Sequence, residues 1–490
     1  MINTFTRVIK NFITKEWFLF LVFTLTHLVD RGDTYYLVIT VLFFIALYSI
    51  SKSLIKAAWI CFLSLFLLFR VRFIISPIYI SEFFKNIYGY MQLNEVFFIA
   101  FFDGMLVLLI YLLKRRGGSK YNIPMRFHYI DFALFSFLIL GIASSFFSPF
   151  PSTSWFYLFR FTLGVLTYYL VRILFVNKSL VDPTFRILFI FAIFQSSLTI
   201  MQWFNQGPLG LSVENFFTSY GRYADELPSL YRPGGIYWDS NLSASILLII
   251  LPLITYLLIQ SRKKKSLQIF NLLGEWLVII AIILTGSRVA WIILSLFVYI
   301  FIKYSSYWKK TFLLFKKEKR LVYFISIITL TLIPQVVIRL LTFSQIFSDS
   351  GGFSYRLAQA RVSLSIAINN LLGIGVNALQ YEKLLSGTPS REQLLASFAP
   401  GHNIFIQALS SAGFLGMIIM ILLVSSLMIT IRNEIVNKNN LLGFMLSFSM
   451  LGYLLTAQAY PWLYSTQITQ LFFIILGIYY AQIQKISKKN

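Results

Sequence analysis

Acidic residues are scarce in this sequence: 18 aspartates and glutamates stand against 42 lysines and arginines in 490 residues, alongside one cysteine and three histidines. The cysteine, Cys61, sits inside the apolar run 57–69, so disulfides and thiolate metal sites within one chain are excluded. Charged residues make up only 12% of the chain, about half the share usual in a soluble domain, which excludes an ordinary soluble fold. The net charge of +24 would suit a nucleic acid if the basic residues shared one surface. They collect instead in alternate connections, so no nucleic-acid partner is expected.

What is abundant is apolar. The chain is 58% hydrophobic and 18% aromatic, with a mean hydropathy of +0.75. A bilayer core about 30 Å thick takes about 20 apolar residues per helix, and runs near that length recur between short charged segments. Strands in lipid would show alternation, which these runs lack. The expected fold is an all-α polytopic membrane protein. Fourteen spans can be drawn: 17–29, 35–50, 57–75, 96–113, 130–147, 155–176, 187–204, 241–260, 268–285, 289–302, 321–338, 403–424, 441–458 and 466–482. Re-entrant or interfacial segments would bring the count to twelve, and the division of 268–302 rests on the break "TGSR". The run from Trp17 to Val29, after Arg7, Lys10 and Lys15, reads as a first anchor rather than a cleaved leader.

Under fourteen spans "KRRGGSK", "SRKKKS" and "KYSSYWKKTFLLFKKEKR" fall on one side together with both termini, and basic connections mark that side as cytoplasmic. The other side receives the long connections 205–240 and 339–402 and the "TGSR" hairpin. Connections longer than about 15 residues are usually functional or disordered, and the aromatic content of these favours function. Within the second, "SYRLAQARVSLSIAINNLLGIG" is expected to form a helix lying at the interface. No internal repeat is visible, so an inverted-repeat transporter receives no support.

Four outer segments carry the candidate residues. In "YRPGGIYWDSNLSASI" (231–246), Arg232 precedes a Pro-Gly-Gly turn that lets backbone approach a ligand, and Asp239 to Asn241 supply the N-cap of the next span; an ordinary loop and cap fits equally. In "LTGSRVAWI" (284–292), Arg288 opens a span where burying a guanidinium calls for an anionic partner, the alternative being a side chain that snorkels to the interface. Arg160 lies toward the outer end of its span and is a secondary candidate, whereas Arg172, near the cytoplasmic end, is expected to snorkel inward. Arg356 and Arg361 suit lipid phosphate as well as substrate. His402 opens a long apolar helix, where the positive end of the dipole favours a neutral imidazole able to accept a proton; a merely satisfied polar residue is the plainer reading. Asn403 beside it is placed to orient the ring or a substrate hydroxyl. Arginines and one histidine on separate loops of one face, without paired metal ligands, point to a phosphorylated or diphosphate-bearing lipid.

In order and spacing these segments resemble the O-antigen ligase and polymerase superfamily, membrane glycosyltransferases that use undecaprenyl-diphosphate-linked glycans. The resemblance covers roughly residues 190–425: an Arg-Gly-x-x-x-(Asp/Ser)-x-Asn pattern at Arg232 to Asn241, with Pro233 inserted; "TGSR" at 285–288; "NNLLGIG"; then His402, Asn403 and "GFLG" at 413–416. It implies a fold of the GT-C type and three parts, 1–186 and 426–490 flanking a catalytic region 187–425. It also implies metal-independent transfer with inversion and no cofactor. The donor would be an undecaprenyl-diphosphate-linked glycan, and the acceptor a lipid A core sugar or a second lipid-linked glycan. Arg232 and Arg288 would hold the diphosphate, with His402 either as base or as the group that positions the attacking hydroxyl; Asn403, Asn241, Asp239, Arg160, Arg356 and Arg361 are the substrate-binding candidates. The protein would sit in a bacterial inner membrane, among its lipids, with the site facing outward.

Ligase-type transfer is the leading expectation and polymerase the alternative. A flippase for lipid-linked sugars needs ionisable residues along a path across the bilayer. Glu275, Asp103 and Asp131 are read as lying near span ends, which leaves that path undrawn.

Overall fold

The structure, a computed structural model, describes residues 33–68, 127–149, 151–176, 178–211, 223–224, 227–237, 239–261, 265–304, 352–376, 403–436, 440–460, 463 and 466–486, with a few isolated positions elsewhere. The expected spans 17–29, 96–113 and 321–338 fall almost entirely outside these residues.

The described helices are α1 (Asp33–Ser51), α2 (Leu54–Leu68), α3 (Tyr129–Phe146), α4 (Pro151–Leu174), α5 (Val181–Asn205), α6 (Ser240–Gln260), α7 (Lys265–Leu284), α8 (Arg288–Tyr304), α9 (Gly352–Asn369), α10 (Ile404–Val436), α11 (Leu441–Ala457) and α12 (Thr466–Ile486). Six of them are long and apolar enough to cross a membrane. The protein is an all-α polytopic membrane protein, and its one described sheet is a hairpin of β1 (Tyr223–Ala224) and β2 (Leu227–Tyr231). The helix expected over "SYRLAQARVSLSIAINNLLGIG" is α9, although it ends at Asn369 and 370–375 turn away instead of continuing it, and "TGSR" does divide two helices, α7 from α8.

Helix α6 is apolar on every side and is therefore the buried centre, packed on α5, α7, α8, α11 and α12. The outer helices face the other way. On α3, Phe132, Phe135, Ile139 and Ile142 are exposed, as are Leu415, Ile418, Ile421, Leu422 and Ile429 on α10. Exposed apolar surface on this scale suits contact with lipid.

Two readings of charged residues are corrected. Arg172 does not snorkel: it is 1% exposed and pairs with the fully buried Asp131 at 2.9 Å. Tyr168 and Tyr169 donate to the same carboxylate at 3.0 and 2.9 Å, which supplies the extra hydrogen bonds a buried ion pair requires. Glu275 is not near a helix end. It sits in the middle of α7 and accepts a hydrogen bond from Thr255 of α6.

Helix α10 is not straight. At Ala412 and Gly413 the backbone leaves the helical region, with φ −135° and +66°, and this frees the Ser410 and Ser411 carbonyls from their helical partners. The amides of Ile374 and Gly375 take them up at 2.9 and 3.2 Å. "NNLLGIG" and "GFLG" are thus two halves of one backbone joint. A Cβ on Gly413 would meet the Leu371 carbonyl oxygen at 1.9 Å, in addition to the strain of positive φ. Gly413→Ala is expected to lower the thermal unfolding midpoint of the purified protein by several degrees or prevent its accumulation; an unchanged midpoint would contradict the joint.

Candidate functional site

The joint at 370–376, the turn 285–287, the start of α6, the start of α10 and the α11–α12 connection all gather at one end of the bundle. Their hydrogen bonds define a polar cluster. β2 delivers the chain into a turn at 232–237 that two buried glutamines of α5 hold by its main chain. Gln195 donates to Gly234 O at 2.8 Å and Ser243 Oγ at 2.7 Å while accepting from Ile236 N at 2.9 Å. Gln202 both donates to Gly235 O and accepts from Gly235 N, each at 2.8 Å. Seven residues apart, these side chains lie on the same face of α5. Gln202→Met would leave a buried N–H and C=O unsatisfied at a cost of about 1–3 kcal/mol each. A thermal midpoint several degrees lower, measured on purified protein, is the expected sign.

The turn so held aims Arg232 across the neighbouring hairpin. Its Nε donates to the Thr285 carbonyl at 3.0 Å and its Nη2 to Asn241 Oδ1 at 2.9 Å. Gly286, at φ +64°, lies under the guanidinium, and a Cβ there would come within 3.4 Å of Arg232 Nε. Asn241 Oδ1 also accepts from the Tyr460 hydroxyl at 2.9 Å, and that hydroxyl lies 3.1 Å from Ser287 Oγ. The Arg356 guanidinium carbon is 5.9 Å from the Tyr460 ring centroid. Burial pushes the Tyr460 phenol above its ordinary value, opposed first by the Ser287 hydrogen bond and then by the Arg232 charge. The phenol is therefore neutral at physiological pH.

Of the candidates named from sequence, Arg232, Asn241 and Arg356 come together here. Asp239 caps α6, accepting from Asn241 N at 2.6 Å, as expected. Arg288 opens α8, next in the chain to Ser287. Asn403 caps α10 through Phe405 N at 2.8 Å and donates to the Gln458 carbonyl and Oε1 at 3.2 and 3.1 Å, which ties it to the connection that carries Tyr460. His402 lies outside the described residues. Arg361 is exposed on α9. Arg160 is 5% exposed on α4, one turn before Gly164, against which Phe473 and Gln470 of α12 pack.

Sequence reasoning missed Gln195, Gln202, Gln458 and Tyr460. The glutamines left a usable signal, two amides seven residues apart in the apolar stretch "FQSSLTIMQW". Tyr460 left none, since tyrosine is common in this chain and its partners lie 173 and 219 residues away.

No curated protein matches the chain. Residues 273–421 match the O-antigen ligase family, a segment that contains "TGSR", α9, the 370–376 joint and the start of α10 but stops short of Arg232 and Tyr460. Over that segment the chain is similar to the O-antigen ligase family, which supports the resemblance to the O-antigen ligase and polymerase superfamily and, in general terms, glycosyl transfer.

Proposed function

We propose that this protein transfers a glycan from an undecaprenyl-diphosphate-linked donor to a hydroxyl acceptor, with inversion and without a metal, at the outer face of the inner membrane. The observation that carries the reading is the Arg232 guanidinium, fixed by Thr285 and Asn241 where five segments meet, with the Arg356 guanidinium carbon 5.9 Å from the Tyr460 ring centroid. Arg232 and Arg356 with Asp239 as the nearby acid leave a positive excess, which suits the oxygens of a diphosphate. The outward orientation is supported by charge in the sequence: Arg262, Lys263 and Lys264 fall between α6 and α7, and Lys438 between α10 and α11, as basic connections on the cytoplasmic side do.

In this reading the acceptor hydroxyl attacks the anomeric carbon while the bond from that carbon to the diphosphate oxygen breaks. Arg232 and Arg288 neutralise the charge that grows on the leaving lipid diphosphate. His402 takes the proton of the attacking hydroxyl, and Asn403 orients it. Arg356, Asn241 and Asp239 border the donor; Arg160 and Arg361 are assigned to its more distant sugars or to membrane lipid. The catalytic region is 187–425, although Tyr460 lies beyond it.

The test is a transfer assay on purified protein with a defined undecaprenyl-diphosphate oligosaccharide, with and without a lipid A core acceptor and with chelator present. Core-dependent product is the expected result. Lengthened glycan without the core would assign the polymerase reaction to the same site. Movement of the lipid across vesicles without bond cleavage would overturn the reading.

A further inference from the structure

We infer that Tyr460 is a positioning residue for Arg232, acting through Asn241, and that residues 458–460 and 463, around it, tie the donor-binding arginine to the first turns of α10. The inference rests on the transfer reading of this site and adds to it a residue outside the matched family segment.

The proton directions are set by chemistry. A guanidinium has only donors, so the Asn241 atom that faces Arg232 is its carbonyl oxygen. That oxygen carries no hydrogen, and the Tyr460 hydroxyl 2.9 Å away must donate to it. The phenol's single proton is then committed. Ser287 Oγ, 3.1 Å from the phenol oxygen, must donate into it. The chain runs from Ser287 to Tyr460 to Asn241, and Arg232 closes it by donating to Asn241 at 2.9 Å and to Thr285, two residues from Ser287, at 3.0 Å. The ring links residues from three distant segments and fixes the plane of the guanidinium, which decides whether its fork meets a diphosphate squarely.

Tyr460 is 8% exposed. Its amide donates to Thr456 O at 3.0 Å, which extends the last turn of α11. Two residues earlier Gln458 receives Asn403, and three residues later Leu463 N donates to Gln407 Oε1 of α10 at 3.1 Å. One short connection therefore touches the arginine's partner on one side and the first turns of α10 on the other. A shift of Gln458, Tyr460 and Leu463 would move Arg232 and the first turns of α10 together.

The experiment compares wild type, Tyr460→Phe, Arg232→Lys and the double variant as full-length protein in nanodiscs, reading kcat, the donor KM and the thermal midpoint. Tyr460→Phe keeps the ring and removes only the hydroxyl. It is expected to lower kcat about tenfold, the usual scale for one hydrogen bond in a charged network, with the midpoint within a few degrees of wild type. Added to Arg232→Lys, whose fork is already lost, it is expected to cost less than about twofold more. Losses that multiply, or a normal kcat for Tyr460→Phe, would overturn the inference while leaving the transfer reading intact. An inactive wild type would overturn both. Should Tyr460→Phe fail to accumulate, Ser287→Ala, which removes only the donor to the phenol, enters the same comparison, and multiplying losses there count equally against the inference.

Discussion

Arg232→Ala is expected to lower glycan transfer about a hundred- to a thousandfold, the usual effect of deleting one preorganised donor from a site where negative charge develops. The preorganisation is visible in its partners. Thr285 O and Asn241 Oδ1 fix the guanidinium at 3.0 and 2.9 Å, and the turn behind it is clamped by Gln195 and Gln202. Deletion leaves Asn241 with Tyr460 as a donor but takes the Arg232 donor from the Thr285 carbonyl, so stability falls as well as rate, by about 1–3 kcal/mol. Arg232→Lys separates the two effects. It keeps the positive charge and gives up the planar fork, so an intermediate rate is expected at nearly unchanged stability. Lys303→Ala, exposed in the last turn of α8, serves as the control and is expected to stay within about threefold of wild type. Steady-state transfer on purified variants checks all three; near-normal transfer by folded Arg232→Ala would refute the donor assignment.

His402→Ala is expected to reduce kcat by about a hundred- to ten-thousandfold, the range for general-base assistance, while the protein folds and binds donor lipid as before. The expectation comes from its place in the sequence, one residue before Asn403. Asn403 accepts from Phe405 N and is itself held by Gln458, so the first turn of α10 is fixed without the histidine. A histidine that opens a helix is in general biased toward its neutral form, the form that accepts a proton. Binding of a labelled donor lipid, measured beside kcat, separates the roles. Lost binding would reassign His402 to holding phosphate.

Much of the architecture was legible because each helix is a continuous apolar run, and a bilayer helix must satisfy its backbone internally. The division at "TGSR", the cap at Asp239 and the helix α9 were equally legible, since turn and cap residues act locally. Long-range pairing was not. Arg172 read as a snorkelling end residue because its partner, Asp131, is 41 residues away on α3. The bend at Gly413 was hidden for a similar reason. A glycine in an apolar helix is unremarkable until another loop arrives to take up the freed carbonyls. At the site, the arginines announced themselves because charge is rare here, whereas Tyr460 and the glutamines that aim Arg232 are uncharged and became visible only through their partners.

The central claim is that a lipid diphosphate binds among the turn 285–287, Arg232 and the starts of α6 and α10. Photo-crosslinking tests it most directly, with an undecaprenyl diphosphate that carries a photoreactive group on its first sugar and labelled peptides mapped on the wild-type protein. Labels within residues 231–241, 285–291, 403–407 or 458–463, competed away by unmodified donor, are the expected result. Competable labels confined to residues 178–190, 257–261 or 265–271, at the opposite end of the bundle, would contradict it.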